Sequence, residues 1–331
     1  MYDFAELPTD ERRLYFEQAA ARIGMSPSSM EKDFWVCWVL KSIFSSHETR
    51  QHLVFKGGTS LSKVYGVIER FSEDVDLILD WRLLGYGEKE DPYQDLPSRT
   101  QQDRFNREFN TRAERYIAES LCPQLQNLFG RCREVNTAID RQDPQTINVQ
   151  YPAAFSFSYL LPIVRLEIGP LASYVPHGSF TIKPYVADVF PDVFDDVDCP
   201  VVAIKAERTF WEKATILHQQ AHRSGEMPAR YSRHYYDMHM LAMSDIKYIA
   251  LANLPLLADV VRFKARFYNC PWAKYNEARP GTFKIIPQDE HVSALRKDYR
   301  DMVEMFFGEV PDFNQILETL GQLEIEINRL S

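Results

Sequence analysis

The sequence predicts an α+β fold: a small mixed sheet with flanking helices, followed by a mainly helical C-terminal lobe. Three observations carry this expectation. Leu53 to Leu79 reads as a short apolar strand, a Gly57-Gly58 pair, a helical pattern and a second strand. Residues 145–203 hold several short β-type runs with prolines at the turns. From Ala206 to the end the apolar residues recur at helical spacing. A chain of 331 residues suits two lobes, drawn here as 1–204, a core lobe with N-terminal helices, and 205–331, a helical lobe.

Residues 1–23 read as a helix rich in both charges and ended by Gly24. Ser26-Pro27 then opens a second helix, with a hydroxyl placed to cap and a proline pre-set for the first turn. The body of that helix carries Phe34, Trp35, Trp38, Val39 and Ile43, which predicts deep packing. Leu53–Phe55 is the first strand. In the helix after the glycines, Thr59 or Ser60 is the expected cap and Leu61, Val64, Tyr65 and Ile68 the apolar face. The stretch between Asp80 and about Thr100, rich in breakers and charge, reads as an exposed insertion near a site.

Residues 101–129 return to helix. Arg104, Arg107, Arg112 and Arg115 on it read as a solvated face of ion pairs in preference to a nucleic-acid contact. Strands are expected at Thr146–Tyr151, Val164–Ile168, Ser179–Tyr185 and Val201–Ile204. Glu207–Ala221 and Arg230–Leu241 are expected helices, separated by a breaker-rich loop. The stretch from Val261 to Gly281 interleaves basic and aromatic residues, a composition shared by base-stacking surfaces and by packed aromatic segments. The last 45 residues read as charged amphipathic helices closing the C-terminal lobe.

Composition narrows the class. The formal charge of -9 disfavours a protein that coats nucleic acid indiscriminately, while leaving room for a local basic groove. Five cysteines without metal-ligand spacing read as reduced thiols, with no zinc site. There is no signal-peptide pattern and no apolar run of membrane-spanning length, so the expectation is a cytoplasmic protein without a membrane segment.

The chemistry concentrates in Phe55–Leu79. Residues two apart on a strand share a face, so Asp74 and Asp76 project together while Val75, Leu77 and Leu79 point into a core. Paired carboxylates repel unless a cation or proton lies between them, and Mg2+ (or Mn2+), an oxygen-seeking ion that shares itself with phosphates, is the natural occupant. Gly57-Gly58 permits a tight turn and close approach of a ligand, and the helix N-terminus beyond suits a phosphate. Together these describe a site for a metal–nucleotide complex. Ser72 shares the carboxylate face and is placed to orient a ligand or a metal-bound water. Lys63 either assists at the phosphates or is solvated. In Val164–Ile168 the alternation puts Arg165 and Glu167 on one face. Glu167 is a third carboxylate for the metal if this strand neighbours that of Asp74, and otherwise a surface glutamate paired with a cation.

Lys56-Gly-Gly-Thr-Ser-Leu-Ser-Lys63 followed by Arg70-Phe-Ser-Glu-Asp-Val-Asp-Leu77 resembles the signature of the AbiEii/AbiGii toxin family of nucleotidyltransferases, within the polymerase-β-like superfamily. Glu31-Lys-Asp-Phe-Trp35, Glu207–Lys213, Arg233-His-Tyr-Tyr-Asp237 and Ala278–Pro287 are similar to further family segments, so the resemblance spans nearly the whole chain. It implies that Gly57, Gly58, Thr59 and Ser60 hold a triphosphate and that Asp74 and Asp76 bind the divalent metal. It also implies that Lys213 reaches the phosphates and that Asp237 contacts Lys213 or the nucleotide. His234 stands at a position that is acidic in many members, and Glu167 where Asp is more usual.

The activity so implied is transfer of NMP from an NTP to an acceptor, tRNA (or another RNA) or a protein, by a toxin with a cognate antitoxin as its partner. Two other readings compete: a nucleotidyltransferase modifying a small molecule, and a non-catalytic module that binds nucleotide or antitoxin. The intact carboxylate pair disfavours the second, since two uncompensated charges are costly to bury without a metal.

Overall fold

The computed structural model describes all residues except 73, 88–91, 93–95, 133, 156–160, 172, 269 and 331, and the side chain of residue 304. Much of the charged stretch between Asp80 and Thr100 therefore lies outside the described residues. The chain divides into two compact units. One comprises Met1–Val64, Phe71–Gln94 and Ser98–Ile204, the other Tyr65–Arg70, Asp95–Pro97 and Lys205–Ser331.

The first unit contains a seven-stranded mixed sheet: β1 (Leu53–Lys56), β2 (Asp74–Leu79), β3 (Asn136–Ile139), β4 (Thr146–Gln150), β5 (Ile163–Gly169), β6 (His177–Ile182) and β7 (Cys199–Ile204). Their spatial order is β3-β4-β5-β2-β1-β7-β6. β2 runs antiparallel to β1 and parallel to β5. The helices of this unit are α1 (Tyr2–Glu6), α2 (Thr9–Ile23), α3 (Pro27–Ser45), α4 (His47–Arg50), α5 (Gly57–Lys63), α6 (Arg99–Tyr116), α7 (Cys122–Phe129) and α8 (Tyr185–Val189).

Period-two alternation decides how the sheet is used. Val75, Leu77 and Leu79 of β2 are all fully buried, as expected. They share a face with Phe55 of β1 and with Leu166 and Ile168 of β5. α3 covers this core, packing on β5 and β7. It is buried from Ser28 to Phe44, which explains its near-continuous apolar sequence. Ser26 caps α3 as expected, its Oγ accepting the Ser29 N–H at 3.1 Å. Trp35 stacks on Tyr151 with ring centroids 5.3 Å apart.

The Glu31-Lys-Asp segment lies in this core as a clamp. Glu31 Oε1 accepts the Ala154 N–H at 2.7 Å, and Asp33 Oδ2 accepts the Tyr185 N–H at 2.7 Å. Cys37, Cys122, Cys132 and Cys199 are buried, and no disulfide forms among the five cysteines.

Several boundaries differ from expectation. The first 23 residues form two helices, because Pro8 at φ -53°, ψ 142° cannot continue the first and sets the start of the second. β3 was not anticipated: Asn-Thr-Ala-Ile is short, and its pairing with β4 supplies what local propensity does not. Tyr185 opens α8 after Pro184 instead of ending β6. Tyr86, expected on an exposed insertion, is buried at 6% exposure and packs edge-on to Phe109 at 4.9 Å. Of the α6 arginines, Arg104, Arg107 and Arg115 are exposed, and Arg112 makes the expected i,i+4 ion pair, with Glu108 at 2.5 Å.

The second unit is helical: α9 (Ala206–Ala221), α10 (Ser232–Ala242), α11 (Ile246–Leu251), α12 (Leu254–Phe267), α13 (Asp289–Asp301) and α14 (Phe313–Asn328). α9 packs against α10, α11 and α12, and α10 against α13 and α14. Ala278–Pro287 is a strap held to α14. Glu324 Oε2 accepts the Ile285 and Ile286 N–H groups, and Asn328 bonds both backbone groups of Phe283. The basic-aromatic stretch is divided: Phe263, Arg266, Phe267 and Tyr275 are buried and Lys264 Nζ donates to the Glu212 carbonyl at 2.8 Å, while Arg262, Tyr268, Trp272, Lys274 and Arg279 are exposed. Among the described residues no helix is long and apolar enough to cross a membrane.

Candidate functional site

The sheet unit gathers its carboxylates by register. Asp74 pairs with Arg165 and Asp76 with Glu167 across β2 and β5, which places all four side chains on the face opposite the core. Asp76 also sits opposite Lys56 of β1. Glu167 is therefore the neighbour that the strand alternation anticipated. Among the described residues, however, no three or more His, Cys, Asp or Glu side chains are gathered closely enough to hold a metal ion together. Desolvation at the sheet, then repulsion from Asp74 and Asp76, pushes the Glu167 pKa up to about 7 against the pull of Arg165.

The glycine turn is built against this pair. Gly57 adopts φ +81°, and a Cβ there would lie 1.8 Å from Asp76 Oδ2 and 2.7 Å from its Cγ. Only glycine satisfies both the backbone angle and the close approach. α5 begins at Gly57, two residues earlier than the expected cap, with Lys56 as N-cap and no side-chain cap bond. Thr59 and Ser60 consequently lie inside the helix. Thr59 Oγ1 donates to the Asp74 carbonyl at 2.6 Å, tying α5 to the start of β2, and Ser60 Oγ donates to the Gly57 carbonyl at 2.9 Å. The helix stops at Lys63, so the expected face through Val64, Tyr65 and Ile68 does not form. Ser72 is part-exposed and lies in irregular chain just before β2.

Lys63 is neither solvated nor at the carboxylate pair. Its Nζ lies 2.7 Å from Asp33 Oδ1, with both side chains only 4% exposed, and 3.5 Å from the Tyr185 ring centroid. Its place at the end of a short helix turns it into the core, where a charge needs a partner.

The helical unit gathers a second cluster. Asp237 on α10 is completely buried and receives Arg70 in a bidentate grip, Nε to Oδ1 at 2.6 Å and Nη2 to Oδ2 at 2.8 Å. Lys213 on α9 approaches Asp237 Oδ2 at 2.6 Å, and its Nζ lies 3.5 Å from His234 Nδ1. Although burial alone would raise the Asp237 pKa, the two cations outweigh it and hold the carboxyl well below its ordinary range. Burial and the nearby Lys213 charge lower the pKa of His234, so its ring is neutral. Two basic side chains thus share the Asp237 carboxylate.

Arg70 was the residue that sequence reading missed here. Its signal was its position within the quoted motif, four residues before Asp74. The segment carrying it is bound into the helical unit. Tyr236 Oη accepts the Glu69 N–H at 3.1 Å, the Glu69 carbonyl accepts the Phe307 N–H at 3.0 Å, and Arg70 bridges Phe306. His239 is buried and structural. His218 is buried as well: its Nδ1 accepts the Lys284 N–H at 3.0 Å, and burial pushes its pKa down to about 4.

Two solved structures resemble the chain. MenT4, a nucleotidyltransferase toxin from Mycobacterium tuberculosis H37Rv, aligns with a TM-score of 0.47 at 15% identity, covering 96% of this chain and 98% of that one. JHP933 from Helicobacter pylori aligns with a TM-score of 0.41 at 16% identity, covering 92% and 93%. No curated relative matches the sequence. The family model described as "Nucleotidyl transferase AbiEii toxin, Type IV TA system" matches residues 38–319, a span that takes in Gly57, Asp74, Asp76, Lys213 and Asp237. The chain therefore belongs to the AbiEii family of nucleotidyltransferase toxins of type IV toxin–antitoxin systems.

Proposed function

We propose that the chain transfers NMP from an NTP to an acceptor, with Asp74 and Asp76 holding Mg2+ (or Mn2+) and Lys213 meeting the nucleotide phosphates. The observation that carries this reading is the carboxylate pair on β2 with the Cβ-free Gly57 pressed against Asp76. The donor set fits a hard cation: carboxylate oxygens with no thiol or imidazole among them suit an ion that completes its shell with water and phosphate oxygens. Such an ion, when bound, supplies charge neutralisation and polarisation of the reacting phosphate.

The chain's own residues do the rest. The backbone of Gly57 and Gly58 offers a turn that a triphosphate can approach, and Thr59 and Ser60 hold that turn in place from behind. Lys213 supplies a point charge, and Asp237 with Arg70 fixes its direction. Glu167 and Ser72 flank the pair, Glu167 as the candidate third carboxylate. Fixing the phosphate in line with an attacking oxygen and stabilising the leaving charge is most of what phosphoryl-type transfer requires of a protein.

The acceptor in this proposal is RNA, with tRNA first, and the partner that relieves toxicity is a cognate antitoxin, as toxin–antitoxin membership implies. Incubating purified protein and Mg2+ with each labelled NTP and total tRNA tests the reading. Label should enter RNA with the parent chain and not with Asp74→Ala/Asp76→Ala. Label in the protein fraction alone would move the acceptor to protein, and no label in any fraction would remove the enzymatic reading. In cells, the same double variant should relieve growth arrest at equal expression.

A further inference from the structure

Asp74, Asp76 and Glu167 share one face of β2 and β5, and like charges so placed need a counter-charge. Arg165 provides one, with three nitrogens turned to three different carboxylates. Its Nε lies 3.4 Å from Asp74 Oδ1, Nη1 3.0 Å from Asp140 Oδ2, and Nη2 4.0 Å from Glu167 Oε1. These contacts are unequal. That to Asp140 is a hydrogen bond, while those to Asp74 and Glu167 are longer ionic approaches.

Asp140 is itself anchored. It accepts from Asn148 Nδ2 at 2.9 Å and from the N–H groups of Gln142 at 2.8 Å and Asp143 at 3.1 Å. Those bonds, the Asn148 bond foremost, pull its pKa down to about 2, so it is a fixed anion. Asn148 stands opposite Arg165 in the β4–β5 register, which puts anchor and guanidinium side by side. Arg165 also borders an open cavity of about 650 Å³, walled by Asn136, Ile139, Asp140, Asn148, Gln150 and Ile163, which leaves the side chain room to move.

We propose that Arg165 is the resident counter-cation of the carboxylate cluster and Asp140 its tether. Together they offset the repulsion among Asp74, Asp76 and Glu167 in the absence of an ion and set how tightly a divalent ion binds Asp74 and Asp76. The inference rests on the metal reading of Asp74 and Asp76 made above. Both are positioning residues, acting on the metal-holding carboxylates through charge. The consequence is a pair of opposite signs. Removing the guanidinium takes a competing cation from Asp74 and strengthens ion binding. Neutralising Asp140 releases the guanidinium to pair more closely with Asp74 and weakens it. A merely structural pair would give losses in both.

The test is Mn2+ affinity of the purified full chain, read by calorimetry or by the free-ion paramagnetic resonance signal, with no turnover required. Arg165→Gln should tighten Mn2+ binding and Asp140→Asn loosen it, each by about two- to fivefold, the scale of a half-exposed ion pair. Arg165→Lys should stay near the parent, and Asp140→Asn should have no further effect in the Arg165→Gln background. Metal-free Arg165→Gln should melt below the parent and recover with saturating Mg2+. If Arg165→Gln does not fold, Asp140→Asn and Arg165→Lys carry the test. Shifts of the same sign in both single variants, no shift, or an Asp140→Asn effect without Arg165 overturn the proposal. Absence of Mn2+ binding by the parent chain sinks the metal reading itself, and this inference with it.

Discussion

The two clusters solve opposite electrostatic problems. On the sheet, Asp74, Glu167 and Asp140 face the guanidinium of Arg165, and Asp76 lies opposite Lys56, on side chains that reach solvent. Among the helices, Arg70 and Lys213 both face the carboxylate of Asp237, which has no exposure at all. The first is an excess of anions held loosely enough to admit a cation. The second sets two basic side chains on one buried carboxylate, fixed by bidentate geometry. Half-exposed charges are adjustable because water screens their repulsion, whereas buried ones must be paired in a fixed geometry. One cluster is therefore built for exchange and the other for rigidity.

Removing each centre separates the two. Asp74→Ala/Asp76→Ala should lower transfer by about 10³-fold or more, as loss of a metal-holding pair does, while thermal unfolding of the metal-free chain changes little. Asp237→Ala should act on stability first: removing the buried anion that pairs Arg70 and Lys213 costs about 3–5 kcal/mol, read as a lower denaturation midpoint, with transfer falling as Lys213 loses its direction. Equal destabilisation by the two changes would break the contrast.

Lys213→Met sharpens it. Asp237 keeps its bidentate Arg70, so stability should change by about 1 kcal/mol or less while transfer falls about 10²-fold, the effect of one lost charged donor. Gly57→Ala should displace the Asp76 carboxylate. A cost of about 1–2 kcal/mol from the left-handed backbone and a roughly tenfold loss of transfer are expected, measured on the same preparation.

The smallest effect is on pH. Burial, opposed by the Ala154 N–H and by Arg12, pushes the Glu31 carboxyl in the sheet unit from 4.5 up to about 7. Between those values the native chain holds a proton that the unfolded chain has released, so stability falls as pH rises through the window. Asp237 has the opposite sign: its depressed pKa gives stability that is present above its ordinary range and lost only in strong acid. The thermal midpoint of the parent, taken relative to that of Glu31→Gln, should therefore decline from about pH 5 to about pH 7, a difference that cancels the opposite pull of the buried neutral His218 and His234.

What could be read in the sequence followed local rules. Val75, Leu77 and Leu79 alternate with Asp74 and Asp76, so the period of a strand alone sorted core from site. Glu167 was legible for the same reason, once β5 was granted as a neighbour. Partners fixed by tertiary contact were not legible. Nothing local separates Lys63, buried against Asp33 across 30 positions of chain, from a solvated lysine at a helix end. Arg70 is bound by a residue 167 positions away, and Asp140 by strand register. Thr59 and Ser60 were misread as caps because a helix that starts on a left-handed glycine moves the cap to Lys56, three residues upstream of Thr59.

The six residues Tyr65–Arg70 belong to the helical unit although α5 and β2, on either side, belong to the sheet unit. No single cut in the chain therefore yields both units whole. A fragment beginning at Lys205 lacks the guanidinium that grips Asp237 and the amide that occupies the Tyr236 hydroxyl. Expressed apart, the halves should fail as a split enzyme, and a chimera between relatives should work only when this hexapeptide travels with the helices it serves. Inheritance of the C-terminal half is thus bound to a few codons deep in the N-terminal one.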